Sequence, residues 1–198
     1  MKGKKIYGLT GMSGAGKTTV SEVFKDCGYE VINCDTVARQ VTEKGTACLR
    51  EIGENFEGVI NPDGTLDRKK LGAAVFSDRE KLGKLNGIIY PYITYKVIKM
   101  IENTDNNYIL LDAPTLFESG IDYICDGVVS VVCDRELSVK RIMARDNISE
   151  KAAESRLSSQ YDKDFYIGKS SFCIENNGTA DSLIKKAEET AQQIKRGI

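Results

Sequence analysis

The sequence predicts an α/β fold in which a parallel five-stranded sheet carries helices on both faces. Short apolar runs of strand length alternate with longer segments whose apolar residues have helical spacing. A glycine-rich segment separates the first strand from the first helix. Residues 46–103 show helical patterns and no convincing strand, which predicts a helical insertion within the sheet domain.

Each strand is predicted from an apolar run that ends near a glycine or an acidic residue. The predicted strands cover residues 5–10, 29–34, 108–111, 128–133 and 172–175. The predicted helices beside them cover residues 18–27, 36–44, 135–145 and 149–160, and an amphipathic helix begins at residue 180. Asp67, Ser77, Asp134 and Ser149 are expected helix N-caps, and Pro91 is expected to break a helix.

The composition excludes several function classes. Lys and Arg number 28 against 29 Asp and Glu, so the net charge is −1, which argues against nucleic acid as a partner. The chain has no histidine, which excludes Ser-His-Asp and Cys-His catalysis and metal sites built on His. The catalytic acids and bases of an enzyme with this sequence must therefore be Asp, Glu, Lys, Tyr or Cys.

The six cysteines contain no C-x-x-C pair, which argues against a zinc site and against a disulfide framework. We expect reduced, mostly buried thiols. The first apolar run is too weak for a signal peptide, and no run approaches the roughly 20 residues of a membrane span. A cytoplasmic protein with no membrane partner is expected, and the sequence leaves its oligomeric state open.

Residues 11–18 match the P-loop pattern G-x-x-x-x-G-K-[ST] between a predicted strand and a predicted helix. Backbone amides of such a loop hold phosphates, while Lys17 is expected to bridge the β- and γ-phosphates of ATP and Thr18 to bind Mg²⁺. The alternative is a glycine-rich turn with a surface lysine. The dinucleotide pattern G-x-G-x-x-G fails because Thr19 stands at its last position. The predicted ATP-binding residues of the loop are Gly11, Ser13, Gly14, Ala15, Gly16, Lys17, Thr18 and Thr19.

The absence of the D-x-x-G and N-K-x-D patterns of GTPases favours a small-molecule kinase of the P-loop nucleotide-kinase type. Such an enzyme needs an acid that orients the acceptor hydroxyl, and Asp35 at the end of the second strand is the candidate base. The alternative is that Asp35 only caps the next helix. Asp112, at the end of the third strand, is the candidate acid for Mg²⁺, or else it caps the turn at Pro114.

Arginines in the region after the fourth strand are candidates for a phosphate clamp. Arg141 and Arg145 are four residues apart and share one helix face, and Arg156 follows, although each alone could be a solvated surface charge. We expect one domain over residues 1–198, with a nucleotide-binding core, a substrate-binding insertion and a lid. Their expected bounds are 1–45 with 104–198 for the core, about 46–103 for the insertion and about 141–165 for the lid.

These motifs together resemble the dephospho-CoA kinase family, from residue 6 to residue 178. The P-loop alone is generic, whereas the ordered set is specific. The set comprises the P-loop, residues 31–39, 63–68, 86–91, 112–118 and 174–178, Arg141 with Arg145, and Arg156 with Gln160.

The resemblance implies transfer of the γ-phosphate of ATP to the ribose 3′-hydroxyl of dephospho-CoA, with ATP and Mg²⁺ required. It implies Asp35, Lys17 and Arg141 as catalytic residues and adds Arg145 and Asn176 to the ATP site, Asn176 near the adenine. The implied substrate-binding residues are Asp35, Arg39, Arg68, Tyr90 and Glu118.

Three departures from the family pattern are visible: Asn33-Cys34 before Asp35, Tyr90 in place of a histidine, and Ser170-Ser171 in place of a small residue and Asp. We expect the Tyr90 departure to change acceptor affinity rather than abolish activity, because tyrosine still offers one hydrogen bond and a flat ring. Two alternatives stay open. One is another small-molecule or nucleotide kinase, and the other is a regulatory P-loop protein that binds ATP.

Overall fold

The computed structural model of the chain describes residues 3–75 and 78–197. The chain forms two compact units: the second spans Asn33–Thr104, and the first holds the chain on either side of that segment. The strands are β1 (Lys5–Gly11), β2 (Glu30–Asn33), β3 (Tyr108–Asp112), β4 (Gly127–Val132) and β5 (Phe172–Glu175). The helices are α1 (Lys17–Asp26), α2 (Cys34–Val41), α3 (Ala47–Asn55), α4 (Arg68–Val75), α5 (Arg79–Asn103), α6 (Arg135–Asp146), α7 (Glu150–Ser158), α8 (Lys163–Lys169) and α9 (Ala180–Arg196).

The predicted parallel five-stranded sheet is confirmed. Its strand order is β2-β3-β1-β4-β5, so β3 and β4 flank β1 in the centre. Both central pairs are parallel, as is the pair of β4 with β5. Ile109, Leu110 and Val129 are fully inaccessible to solvent, because helices cover a parallel sheet on both faces. Asp112 of β3 pairs with Leu9 of β1, so the carboxyl ends of the two strands lie at the same edge of the sheet.

Helix α9 packs on α1 with one apolar stripe, as its pattern predicts. Leu183, Ala187, Ala191 and Ile194 are buried, while Ile184 is only partly buried. The structure adds α8, where the sequence suggested only a polar aromatic stretch. Asp162 starts this helix by accepting a hydrogen bond from the amide of Phe165 at 2.8 Å.

The expected N-caps have mixed outcomes. Asp67 and Ser149 do cap their helices, accepting from the amides of Lys70 at 2.9 Å and Ala152 at 3.3 Å. Asp134 makes no capping hydrogen bond, because its carboxylate instead accepts from Lys163. Ser77 lies outside the described residues, and α5 is capped by Asp78.

Pro91 was expected to break a helix, and this expectation is wrong. Helix α5 runs through it for 25 residues. Proline removes one backbone donor and crowds the carbonyl four residues earlier, which here belongs to Gly87. Gly87 is exposed, so water can satisfy that carbonyl and the helix continues.

The second unit is organised around α5, against which α2, α3 and α4 pack. Val37, Ile52, Val97 and Ile101 are almost fully inaccessible within it. Across the turn at 61–64, Ile60 and Leu66 form an isolated antiparallel bridge. In the described parts of the chain, no helix is both long and apolar enough to cross a membrane.

None of the six cysteines, all within the described residues, forms a disulfide. Cys34, Cys48 and Cys133 are buried, whereas Cys173 is exposed and the remaining two are partly buried. Reduced thiols without disulfides agree with the expectation from the spacing, and the expected burial holds for half of them.

Candidate active site

The glycine-rich loop connects the end of β1, at Gly11, to the start of α1, at Lys17. Three of its glycines have positive φ: 138° at Gly11, 77° at Gly14 and 97° at Gly16. Side chains other than glycine rarely adopt this backbone region. The loop can therefore curl its amides inward at the start of a helix, which is the geometry that binds phosphate.

The loop glycines are also required by close packing. A Cβ atom on Gly11 would lie 2.1 Å from the carbonyl oxygen of Val131, and one on Gly14 would lie 2.8 Å from that of Ser138. A Cβ on Gly16 would lie 2.7 Å from Nδ2 of Asn176. The loop is thus pressed against neighbouring chain on several sides.

We expect Gly16→Ala to lower the free energy of unfolding by about 2–5 kcal/mol, from backbone strain and crowding of Asn176 together. Gly120→Ala is the matched control, because Gly120 has a φ of 70° but no atom within 4 Å of the added Cβ. The control should lose only the strain, about 1–2 kcal/mol. Urea unfolding of both variants measures the difference, and equal losses would contradict the packing account.

Lys17 is already paired. Its Nζ donates to Oδ1 of Asp112 at 2.7 Å, and the two side chains are only 19% and 8% exposed. Asp112 thus lies beside the lysine expected to contact the transferred phosphate, and among the described residues its carboxylate has no hydrogen bond to the Pro114 turn. The structure brings together two groups that lie 95 positions apart in the sequence.

Thr18 and Asp112 fit a magnesium ion, since hydroxyl and carboxylate oxygens are hard ligands and Thr18 is exposed. Among residues 3–75 and 78–197, no group of three His, Cys, Asp or Glu side chains could hold a metal.

Two predicted ATP-site residues hold the loop itself. Nδ2 of Asn176 donates to the carbonyl of Ala15 at 2.8 Å in a buried contact. Arg141 donates to the carbonyls of Asn176 at 3.1 Å and of Gly14 at 3.4 Å. Because Arg141 and Asn176 bind carbonyl groups of the loop, the loop amides can point in the opposite direction, toward a ligand.

One loop amide has a side-chain partner. The N–H of Ser13 donates to Oε1 of Gln160 at 3.0 Å. Gln160 lies just after α7, in the region expected to form the lid. A phosphate that binds the Ser13 amide would have to replace this bond.

Arg145 and Arg156 meet at a residue that the sequence reasoning missed. Arg145 donates to both carboxylate oxygens of Asp146, at 2.8 and 2.9 Å, and Arg156 donates to Oδ2 of the same carboxylate. The hydrogen bond from Arg145 is the main cause that lowers the pKa of Asp146 to about 2. One indication of a role for Asp146 was present in the sequence, namely an acid close to candidate arginines. Acids and arginines are often neighbours on exposed helices, so this indication was weak.

Glu118 lies in the turns that follow β3. The residue as a whole stays exposed, while atoms packed around the carboxyl raise its pKa by desolvation. The buried hydroxyl of Tyr166, whose own pKa is raised to about 12 chiefly by burial, has no hydrogen-bond partner among the described residues.

The second unit carries Asp35, Arg39, Arg68 and Tyr90. Asp35 is exposed in the first turn of α2, and that helix is capped by Asn33, which accepts from the amide of Thr36 at 2.8 Å. The alternative that Asp35 serves as the helix cap is therefore wrong, and its carboxylate is left for another role.

Thr42 connects Arg68 to the C-terminal end of α2. Its hydroxyl donates to the carbonyl of Arg39 at 3.1 Å and accepts from NH2 of Arg68 at 2.7 Å. Arg68 is thus held beside the helix end that carries Arg39, while Tyr90 lies partly buried in α5. This contact fixes Arg68 at the C-terminal end of α2 and involves the backbone, not the guanidinium, of Arg39.

The chain is similar to known proteins over nearly its whole length. Residues 5–182 match the family model described as dephospho-CoA kinase. A dephospho-CoA kinase of Fusobacterium nucleatum subsp. nucleatum is 39% identical over 191 residues, which covers 96% of this chain and 98% of that protein.

Solved structures agree as well. A crystal structure of a Thermus thermophilus protein superimposes with a TM-score of 0.86 at 27% identity, covering 96% of this chain and 97% of the other. A dephospho-CoA kinase from Campylobacter jejuni gives a TM-score of 0.74 at 28% identity, with 98% of both chains covered.

Proposed function

This chain belongs to the dephospho-CoA kinase family, and we propose that it transfers the γ-phosphate of ATP to the ribose 3′-hydroxyl of dephospho-CoA, giving coenzyme A and ADP. The observation that carries the proposal is the P-loop at the carboxyl end of β1, with Lys17 paired to Asp112. Phosphoryl transfer depends mainly on positioning and on charge stabilisation, which such a loop supplies.

We propose that the loop amides and Lys17 hold the β- and γ-phosphates, with Arg145 and Asn176 as further ATP contacts. Mg²⁺ would be held by Thr18 and Asp112 and would supply charge neutralisation at the phosphates. Arg141 is proposed as a catalytic lid residue within residues 141–165. Its bonds to Gly14 and Asn176 support a role at the nucleotide, since they tie α6 to the loop.

We propose that residues 46–103 form the acceptor-binding insertion and that Asp35 is the base. Asp35 directly follows the second strand and has no capping role to fulfil. Arg68, held at the C-terminal end of α2 by Thr42, and Arg39 in the same helix supply positive charge suited to the diphosphate of dephospho-CoA. Tyr90 and Glu118 complete the proposed substrate contacts, and a cytoplasmic location is proposed from cysteines that form no disulfide in the described chain.

The reaction is tested by coupled ADP formation over a panel of acceptors. We expect rapid ADP formation only with dephospho-CoA, because without an acceptor no water is positioned for attack. The panel includes AMP, adenosine, shikimate and gluconate, together with a reaction lacking acceptor. Mass spectrometry of the product should show one added phosphoryl group.

Faster turnover with a nucleoside, nucleotide or sugar acid would favour a different small-molecule kinase. Equal ADP formation with and without acceptor would favour a regulatory ATP-binding protein. Both outcomes would reject the proposed acceptor while leaving the P-loop assignment intact.

A further inference from the structure

One carboxylate, that of Asp146, joins Arg145 and Arg156 in the first unit. Asp146, the last residue of α6, accepts two hydrogen bonds from Arg145 and one from Arg156 of α7. The backbone reverses at Asn147, which has a φ of 51° and is the one positive-φ residue other than glycine in the described chain. This turn brings α7, and Arg156 with it, back against α6.

Both guanidinium groups keep donors for a further anion. Arg145 uses Nε and NH2 toward Asp146, which leaves NH1, and Arg156 uses NH1, which leaves Nε and NH2. Within residues 3–75 and 78–197, no second acceptor contacts either guanidinium. Two positive charges against one negative charge leave the cluster with a net charge of +1.

The helix that carries Arg145 and Asp146 also contacts the loop. Arg141 is one helical turn before Arg145 on the same face of α6, at about 5–6 Å between Cβ atoms, and it donates to the carbonyl of Gly14. A phosphate chain that leaves the loop along α6 would therefore meet the unused donors of Arg145 and Arg156.

Resting on the proposed function, we infer that Asp146 is a positioning residue that aligns Arg145 and Arg156 into one paired site for the phosphate chain of ATP. A carboxylate that accepts the planar fork of one arginine fixes its orientation more tightly than a single bond does. The second arginine, held on the same oxygen, then points its remaining donors at the same anion.

A purely stabilising role is a poor explanation. Arg145 and Arg156 are 61% and 42% exposed, and exposed ion pairs contribute little to stability. A second pair, Arg135 with Glu154, already joins α6 to α7. It provides a matched control with the same chemistry between the same helices.

The test uses the full chain with Asp146→Asn, Asp146→Glu and Glu154→Gln. Isothermal titration with a non-hydrolysable ATP analogue and Mg²⁺ measures affinity, and the coupled assay with dephospho-CoA gives KM and kcat. We expect Asp146→Asn to raise Kd and the KM for ATP by about 10-fold, the loss of one charge-assisted contact. Its kcat should change by less than about 3-fold, because the acceptor and loop are untouched.

Asp146→Glu should recover most of the affinity, and Glu154→Gln should bind like the wild type. The melting temperature of Asp146→Asn should stay within about 2 °C of the wild type, since the lost pairs are exposed. Unchanged affinity in Asp146→Asn, or a loss matched by Glu154→Gln, would overturn the inference. Tighter binding would also overturn it, since the carboxylate would then compete with phosphate.

The two proposals fail differently. A wild-type chain that binds the ATP analogue but does not phosphorylate dephospho-CoA would reject the proposed function alone. A wild-type chain that performs the reaction, with Asp146→Asn indistinguishable from it, would reject only the positioning role of Asp146.

Discussion

Lys17→Ala is expected to lower kcat for dephospho-CoA phosphorylation by about 10³-fold or more, and to weaken ATP binding as well. Lys17 is the only charged residue in the loop, and preorganised charges at a transferring phosphoryl group contribute on this scale. The measurement is steady-state kinetics in the coupled ADP assay. Lys25→Ala, an exposed lysine on the same helix α1, is the control and should keep wild-type kinetics.

Asp112, the ion-pair partner of Lys17, allows the effect of Lys17→Ala on stability to be separated from its effect on catalysis. Asp112 is only 5% exposed in the wild-type chain. Without the lysine it would lose its ion-pair partner, at a cost of about 1–3 kcal/mol in unfolding free energy. The double variant Lys17→Ala, Asp112→Asn should recover part of that stability but none of the activity. A double variant with restored turnover, or a single variant with normal kcat, would contradict the P-loop assignment.

Asp35→Asn should lower kcat by about 10²-fold or more while the affinity for ATP stays nearly constant. The change is nearly isosteric and keeps the residue's size, but it removes the carboxylate that would orient the acceptor hydroxyl and take its proton. Because Asn33 caps α2, the helix should lose at most about 1 kcal/mol through its dipole. Kinetics together with ATP titration measure both parts of the expectation.

Asp181→Asn is the control for this experiment, because Asp181 is an exposed acid in the first turn of α9, the same helix position as Asp35 in α2. It should leave kcat unchanged. A normal kcat in Asp35→Asn would show that the proposed base is wrong. A loss of ATP affinity as large as the loss of kcat would instead place Asp35 among the ATP-binding residues.

The strands and the phosphate loop were predictable because local pattern determines them. Buried parallel strands such as β3 and β4 are continuous apolar runs, and the glycines at 11, 14 and 16 have no substitute at those φ values. Helix α9 shows its apolar stripe in the sequence for the same reason.

Other features could not be predicted, either because two nearby residues suited one role or because the partner lies elsewhere in the chain. An asparagine, Asn33, caps α2 where an acid two residues later was an equally reasonable candidate. Asp134 has the right type and position for a cap but binds Lys163 instead. The convergence of two arginines on Asp146 requires the turn at Asn147. The sequence pattern did not predict that the arginines would meet there. The effect of Pro91 depended on the exposure of Gly87.

The side chains that hold the P-loop carbonyls belong to residues that are translated late. Ala15 and Gly14 are bound by Asn176 and Arg141, which follow 161 and 127 residues later. A nascent polypeptide leaving the ribosome therefore carries its phosphate loop long before the side chains that shape it have emerged. Nucleotide capture would then be a late event in biogenesis, gained only when nearly the whole chain has been translated.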